Sequence, residues 1–355
     1  MAPALRDRYD LSLGQAGFLI SGSLAGSVVS MIPWGLATDR LGERAVLSVG
    51  LSACGLSLLA ASQATGFPGL AALIVLAGAA GASVNSASGR AVMHWFGGHE
   101  RGLALGIRQT AIPISGLVFS LVLPPVVRAG GVGWGFAVLG SSCLAGAALS
   151  AAVLREGPRP APDEARLERA PFRDRRIWTL AGGSALIVAP QMCVVGFTVL
   201  FLHDSRGLSP AHAAAVLAVV QLFGIGARIG AGYWSDVLRS RITPMRRIAL
   251  AIAAFVALTT LLLTAPVPVL LPALVAAGVL SMSWNGLAFT AAAELAGHAR
   301  SGAAIGLQQT VLNSFSAAYP TAFGALVAAT SWRAGFAVVA LFPLAGWRVL
   351  RSVHG

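Results

Sequence analysis

Eleven stretches of this chain are each long and apolar enough to cross a lipid bilayer, and no other feature limits its fold so strongly. A spanning helix needs about 20 predominantly apolar residues. Such runs fall at about 15–37, 45–62, 68–95, 103–127, 134–154, 177–202, 211–234, 247–265, 268–295, 303–330 and 333–350. In hydrocarbon every backbone amide must bond inside its own segment, so runs of this length predict helices. Hydrophobic residues make up 56% of the chain and charged ones 11%, against roughly 25% charged in a soluble domain. One globular core could not enclose so much apolar surface. The expectation is an all-α, multi-pass membrane protein with the lipid bilayer as its solvent.

The net charge of +12 does not signal nucleic-acid binding, because the charges sit between apolar runs and form no single basic face. All 25 basic residues are Arg. Without lysine there is no P-loop, so ATP is not expected as a partner, and lysine Schiff-base chemistry is excluded. Cys54, Cys143 and Cys193 lie far apart in apolar runs and suggest neither a metal site nor a disulfide framework. No zinc motif, Ser-Lys pair or buried Asp pair points to an enzyme, and no cofactor or metal is expected. Residues 1–10 have no apolar core of the signal-peptide kind.

Arginine placement predicts orientation. Seventeen of the 25 fall in one set of alternate loops and the C-terminus, five fall in the opposite set, and Arg90, Arg108 and Arg228 lie inside spans. The rich side is expected to be cytoplasmic, with the C-terminus inside and the protein in the cell's inner (plasma) membrane. Trp34, Trp95, Trp178, Trp234 and Trp347 mark one interface, Trp134 and Trp332 the other. Residues 155–176, with seven Arg, five acids and four Pro, read as a cytoplasmic linker.

The two sides of that linker repeat each other. Ala104-Leu-Gly-Ile-Arg-Gln-Thr110 matches Ala304-Ile-Gly-Leu-Gln-Gln-Thr310 at a shift of 200, as Gly135-Phe-Ala-Val138 matches Gly335-Phe-Ala-Val338. Asn85 faces Asn285 at the same shift, while Gly35, Asp39 and Arg44 match Gly232, Asp236 and Arg241 at 197. Repetition on this scale predicts two pseudo-symmetric helical bundles, the parallel-repeat plan of secondary transporters. The second half opens with a span at 177–202 whose counterpart would precede Met1. A first helix encoded upstream is therefore expected; the rival is a chain of eleven helices.

Gly35-Leu-Ala-Thr-Asp-Arg-Leu-Gly-Glu-Arg44 resembles the signature loop between helices 2 and 3 of the major facilitator superfamily. Gly232-Tyr-Trp-Ser-Asp-Val-Leu-Arg-Ser-Arg241 is similar to its second copy, between helices 8 and 9. Trp95-Phe96 followed by Glu100-Arg101-Gly102 resembles the family's link from helix 4 to helix 5. The resemblance implies an N-terminal bundle over 1–154 (family helices 2–6), the linker over 155–176 and a C-terminal bundle over 177–355 (family helices 7–12). It also implies a gating role for Gly35, Asp39, Arg40, Gly42, Arg44, Arg228, Gly232, Asp236 and Arg241. The glycines permit close packing and a tight turn, and Asp39 can sit at a helix N-terminus or pair with an Arg, latching one of two alternating states. Arg90, near the end of its span, is expected to snorkel to the surface.

Arg108 carries the sharpest expectation about the solute. It lies about five residues into its span, and intramembrane charge marks a functional site by default. With Gln109 and the repeat-related Gln308 and Gln309 it can grip a carboxylate, since a guanidinium offers paired donors; snorkelling is the competing reading. Asn85, Asn285, Trp284, Asn313 and Gln191, which follows a kinking Pro190, are further cavity candidates. No Asp, Glu or His lies near mid-span, so a buried proton carrier is missing from the residues present. Ala77 stands where drug antiporters carry an Arg, and Ile112-Pro113 and Ser115-Gly116 replace the Gly-Pro and Gly-Gly pairs of the antiporter motif. The expected function is secondary transport of a small solute, an organic anion such as a carboxylate, by a monomer. The alternatives are a proton-coupled drug or metabolite efflux pump and a truncated, non-transporting membrane protein.

Overall fold

The computed structural model describes residues 8–9, 13–155 and 171–353, and these form helices and short connections with no strand among them. The helices are α1 (Leu13–Leu41), α2 (Glu43–Ser62), α3 (Phe67–Gly81), α4 (Ser83–Trp95), α5 (Arg101–Gln109), α6 (Ala111–Val153), α7 (Arg175–Pro190), α8 (Gly196–Asp204), α9 (Pro210–Val237), α10 (Ile242–Leu261), α11 (Val267–Ser283), α12 (Asn285–Ala296), α13 (Ser301–Ala329) and α14 (Trp332–Leu350).

Eight continuous helical stretches are long and apolar enough to span a bilayer. One of them, Arg101–Val153, is 53 residues long and is broken at Gly131, whose φ of 78° leaves the helical region. With that break, and with the helices α1 and α13, a helical segment lies at each of the eleven expected positions. Most of the proposed linker, residues 156–170, lies outside the described residues. Its end does not stay loop-like: Pro171–Arg173 form a 3-10 turn and the Asp174 carboxylate accepts from the Arg176 amide, so α7 starts at Arg175. The span expected at 247–265 begins five residues early, at Ile242, which brings Arg246 and Arg247 into the first turns of α10 rather than the loop.

The described chain packs as two compact units. The first comprises Met1–Trp95, Ile114–Pro171 and Ala296–Thr310; the second comprises Phe96–Pro113, Phe172–Leu295 and Val311–Gly355. Each unit therefore takes in a short piece from the other side of the linker. In the first, α3 packs on α1 and α2, and α4 on the same pair. There Gly55 and Gly140 face each other's carbonyls so closely that a Cβ on either would come within 2.8 Å of the other's oxygen. Small residues allow this approach where no hydrophobic force drives helices together. The same crossing brings the thiols of Cys54 and Cys143 to 3.8 Å, though both remain free. In the second unit, α14 packs on α7 and α10, and α9 packs on α5 and α11.

The signature loop is far tighter than the ten-residue motif suggests. Only Gly42 separates α1 from α2, and its φ of 90° makes the reversal possible. At a shift of 197 its counterpart is Arg239, which takes φ 48° and is the one non-glycine residue with positive φ among those described. A left-handed L-residue costs roughly 1–2 kcal/mol. Arg239→Gly should therefore raise stability by about 1 kcal/mol after the extra unfolded-state freedom of Gly is subtracted. Thermal unfolding in detergent free of anionic lipid checks this; a lowered Tm contradicts it.

Candidate functional site

Two repeat-related constellations organise the ends of the helices, one in each unit. In the first, the last turn of α1 presents Asp39 to the start of α13. Its carboxylate accepts from the amides of Gly302 at 2.9 Å and Ala303 at 2.8 Å. The first N–H groups of a helix have no internal partner and carry the positive end of its dipole, so a carboxylate there satisfies both needs. Gly35 makes the approach possible, since a Cβ on it would lie 2.5 Å from the Gly302 carbonyl oxygen.

The second constellation repeats this atom for atom. Asp236, in the last turn of α9, accepts from Gly102 at 3.0 Å and Leu103 at 2.8 Å at the start of α5. Gly232 abuts the Gly102 carbonyl as Gly35 abuts that of Gly302. Gly302 and Gly102 are themselves related by the shift of 200.

The supporting charges differ between the two copies. Arg241 is 7% exposed and bonds the carboxylates of both Asp236 and Glu294, the latter at 3.0 Å. It also donates to the Ser235 hydroxyl at 2.8 Å and the Gly98 carbonyl at 2.6 Å. Burial alone would lower its pKa; the bonds to Glu294 and Asp236 outweigh that and lift it above the ordinary arginine value. Arg44, its counterpart, is exposed, as is Arg40. The first copy uses Arg90 instead, which donates to the Thr38 carbonyl and lies 3.8 Å from Asp39. The snorkelling expected of Arg90 is thus corrected: it is 2% exposed, because a buried carboxylate and carbonyl offer partners that a bare helix would lack. Beside it the His94 Nδ1 sits 3.1 Å from the buried Glu43 carboxylate, and its ring stacks on His298 with centroids 6.2 Å apart.

The expected solute-binding residues fall mostly at interruptions in helices, where polar backbone and side chains collect. Asn85 is half-buried just after the break between α3 and α4. Asn285 opens α12 after the break at Trp284 and donates to the Gln191 side chain at 3.3 Å. Gln191 begins a π-helical turn, Gln191–Val195, directly after Pro190. Trp284 itself is fully buried, with its indole N–H donating to the Ser281 carbonyl. Arg108 is half-buried two residues before the interruption at Thr110, and donates to the Gln109 side chain at 3.3 Å. The Gln109 carbonyl in turn accepts from Arg228 at 2.6 Å, and Arg228 also donates to the Met282 carbonyl at 2.9 Å. Arg228 is 3% exposed and ties α9 to α5 and α11. Gln308, Gln309 and Asn313 lie on the uninterrupted α13. Gln308 is fully buried, and neither atom of its amide has a hydrogen-bond partner.

Arg90, His94, Glu43 and Glu294 were missed in the sequence as parts of these constellations. A signal was present: His94 and Glu294 are related by the shift of 200 that also aligns Gly102 with Gly302. Of the expected residues, the structure brings together Arg108 with Gln109, Gln109 with Arg228, Gln191 with Asn285, and Asp236 with Arg241. It does not join Arg40 or Arg44 to any of them.

A family model described as Major Facilitator Superfamily matches residues 1–320. An MFS-type transporter of Mycobacterium tuberculosis is 35% identical over 355 residues, a match covering 97% of this chain and 78% of that one. A hexuronate transporter of Bacillus subtilis is 23% identical over 247 residues, covering 66% of this chain and 58% of its own length. Among solved structures, that of the Escherichia coli fucose:proton symporter FucP superposes with a TM-score of 0.77 at 16% identity, covering 100% of this chain and 95% of that one. At that identity the likeness shows the fold alone.

Proposed function

The chain belongs to the major facilitator superfamily and is a multi-pass membrane transporter of a solute, and from that premise we propose that it carries a small organic anion across the cytoplasmic membrane by alternating access. Arg108 carries the substrate class. A half-buried guanidinium at a helix interruption, flanked by an amide, is a donor array suited to a carboxylate. The distribution of acids supports the same reading. Every described Asp and Glu lies at a helix end or in a connection, which leaves the middle of the described spans to Arg and amide side chains. The similarity to a hexuronate transporter fits, because a hexuronate is a carboxylate.

In this reading residues 1–154 and 177–355 are the two bundles, 155–176 is their cytoplasmic linker, and the arginine asymmetry sets the C-terminus inside. Both carboxylate caps then lie at the cytoplasmic ends. Each joins residues from the two halves of the sequence. The cycle alternates between capped and uncapped states in a monomer, without ATP.

Arg108→Gln should lower uptake of labelled carboxylates into proteoliposomes by at least about 30-fold, the low end expected for truncating one partner of a buried charge pair. Insertion and Tm should stay near those of the parent protein, and Arg108→Lys should recover part of the rate. Unchanged carboxylate uptake in Arg108→Gln refutes the anion assignment. Uptake of neutral sugars alone by the parent protein refutes the substrate class while leaving transport intact.

A further inference from the structure

The second unit holds a cavity of about 530 Å³ beside the Asp236 cap, with which it shares only Arg241 and Glu294. It sits where α9 ends, α10 begins, and α12 and α14 end. Arg239, Arg241, Arg246 and Arg351 line it, with Glu294 as the single acid. Glu294 is already paired with Arg241. Among the described residues no carboxylate lies within ion-pairing distance of Arg239, Arg246 or Arg351, so three positive charges converge uncompensated. The Arg246 Nε is buried and donates to nothing. Arg351 is steadied against the Trp347 ring, its guanidinium 5.2 Å from the centroid. Arg239 reaches the rim from the strained left-handed position where the other repeat has glycine. Strain kept beside converging charge is a sign of use.

The internal repeat supplies a control. The related cavity in the first unit measures about 260 Å³. Ala91 and Val153 line it as Ala291 and Val353 line the larger one. Yet the positions matching Arg239, Arg246 and Arg351 are Gly42, Val49 and Ala151. The fold therefore does not need arginines here; they are peculiar to the second half.

We propose that this cavity binds a phosphate-bearing anion. Guanidinium forks match phosphate oxygens in pairs, and the first turn of α10 adds the positive end of a helix. The volume lies within the range of small-ligand sites. The phosphate belongs either to an anionic lipid headgroup, reached from the adjoining leaflet, or to a soluble phosphate compound.

The test measures Tm of the full chain in nanodiscs. Replacing part of a phosphatidylcholine bilayer by phosphatidylglycerol should raise Tm by roughly 3–5 °C, as expected for a ligand well above its Kd. Arg246→Gln/Arg351→Gln should lose that rise. Arg247→Gln/Arg348→Gln, which removes two arginines outside the cavity at the same end, should keep it. A parallel arm adds inorganic phosphate or glycerol phosphate to phosphatidylcholine discs. A rise there, lost in the cavity variant, identifies a soluble ligand; a rise with phosphatidylglycerol alone identifies the lipid. No rise in either arm, or equal loss in both double variants, overturns the proposal. Should the cavity variant fail to fold, Arg246→Lys/Arg351→Lys replaces it, and a full rise of Tm with lysine present counts against paired guanidinium recognition.

Discussion

Asp236→Asn should all but abolish transport while leaving the protein inserted. The substitution keeps size and shape but removes the charge that accepts from Gly102 and Leu103 and pairs with Arg241. Hydrogen bonds to a charged group contribute about 1.5–3 kcal/mol each, and the asparagine oxygen can keep only part of one set. Arg241 is left with Glu294, itself more exposed. A net loss of about 2–4 kcal/mol is reasonable for one partner of a buried pair. That moves the equilibrium between capped and uncapped states by roughly 30–1,000-fold. Asp39→Asn should act in the same direction but less, because Arg90 stands 3.8 Å from its carboxylate rather than bonding it directly. Proteoliposome uptake and the reactivity of a cysteine introduced at the start of α5 read the two consequences separately. Parent-like values of both in Asp236→Asn would remove the caps from the mechanism.

Gly232→Val should be nearly as severe, for a steric reason. The new side chain would land on the Gly102 carbonyl, and backbone cannot rotate out of the way as a side chain can. Overpacking costs about 1–3 kcal/mol by itself. Here it also lifts α5 off α9 and stretches both bonds to Asp236, so the loss should reach that of Asp236→Asn. Gly230 is the internal control: two residues earlier on the same helix, it has open space where a Cβ would go. Gly230→Val should leave Tm and uptake close to the parent. Equal effects at 230 and 232 would mean that lost helix flexibility, not the close approach to Gly102, is responsible.

The limits of sequence reading show in particular residues. Asp39 and Asp236 are recognisable because the motif recurs, yet nothing in the motif says which amides they meet. Those amides lie 263 and 134 residues away for Gly302 and Gly102. The motif residue Arg44 is exposed, while Arg90, outside the motif, lies buried beside the carboxylate. A charge inside a span carries no label for its partner, because the partner belongs to another helix. The cavity of arginines was equally invisible, since Arg239, Arg246 and Arg351 read one by one as topology signals.

Spans, helical class and twofold repetition follow from the chain alone, because they rest on segment-local physics: hydrocarbon demands internally bonded helices, and repeated spacing survives in one dimension. Which charges meet does not follow. Asp39 with Gly302, Arg241 with Glu294, and Arg228 with Gln109 are pairings between segments far apart in the sequence. Their geometry is decided by how closely glycine-bearing helices can approach, and that approach exists only once the chain is folded.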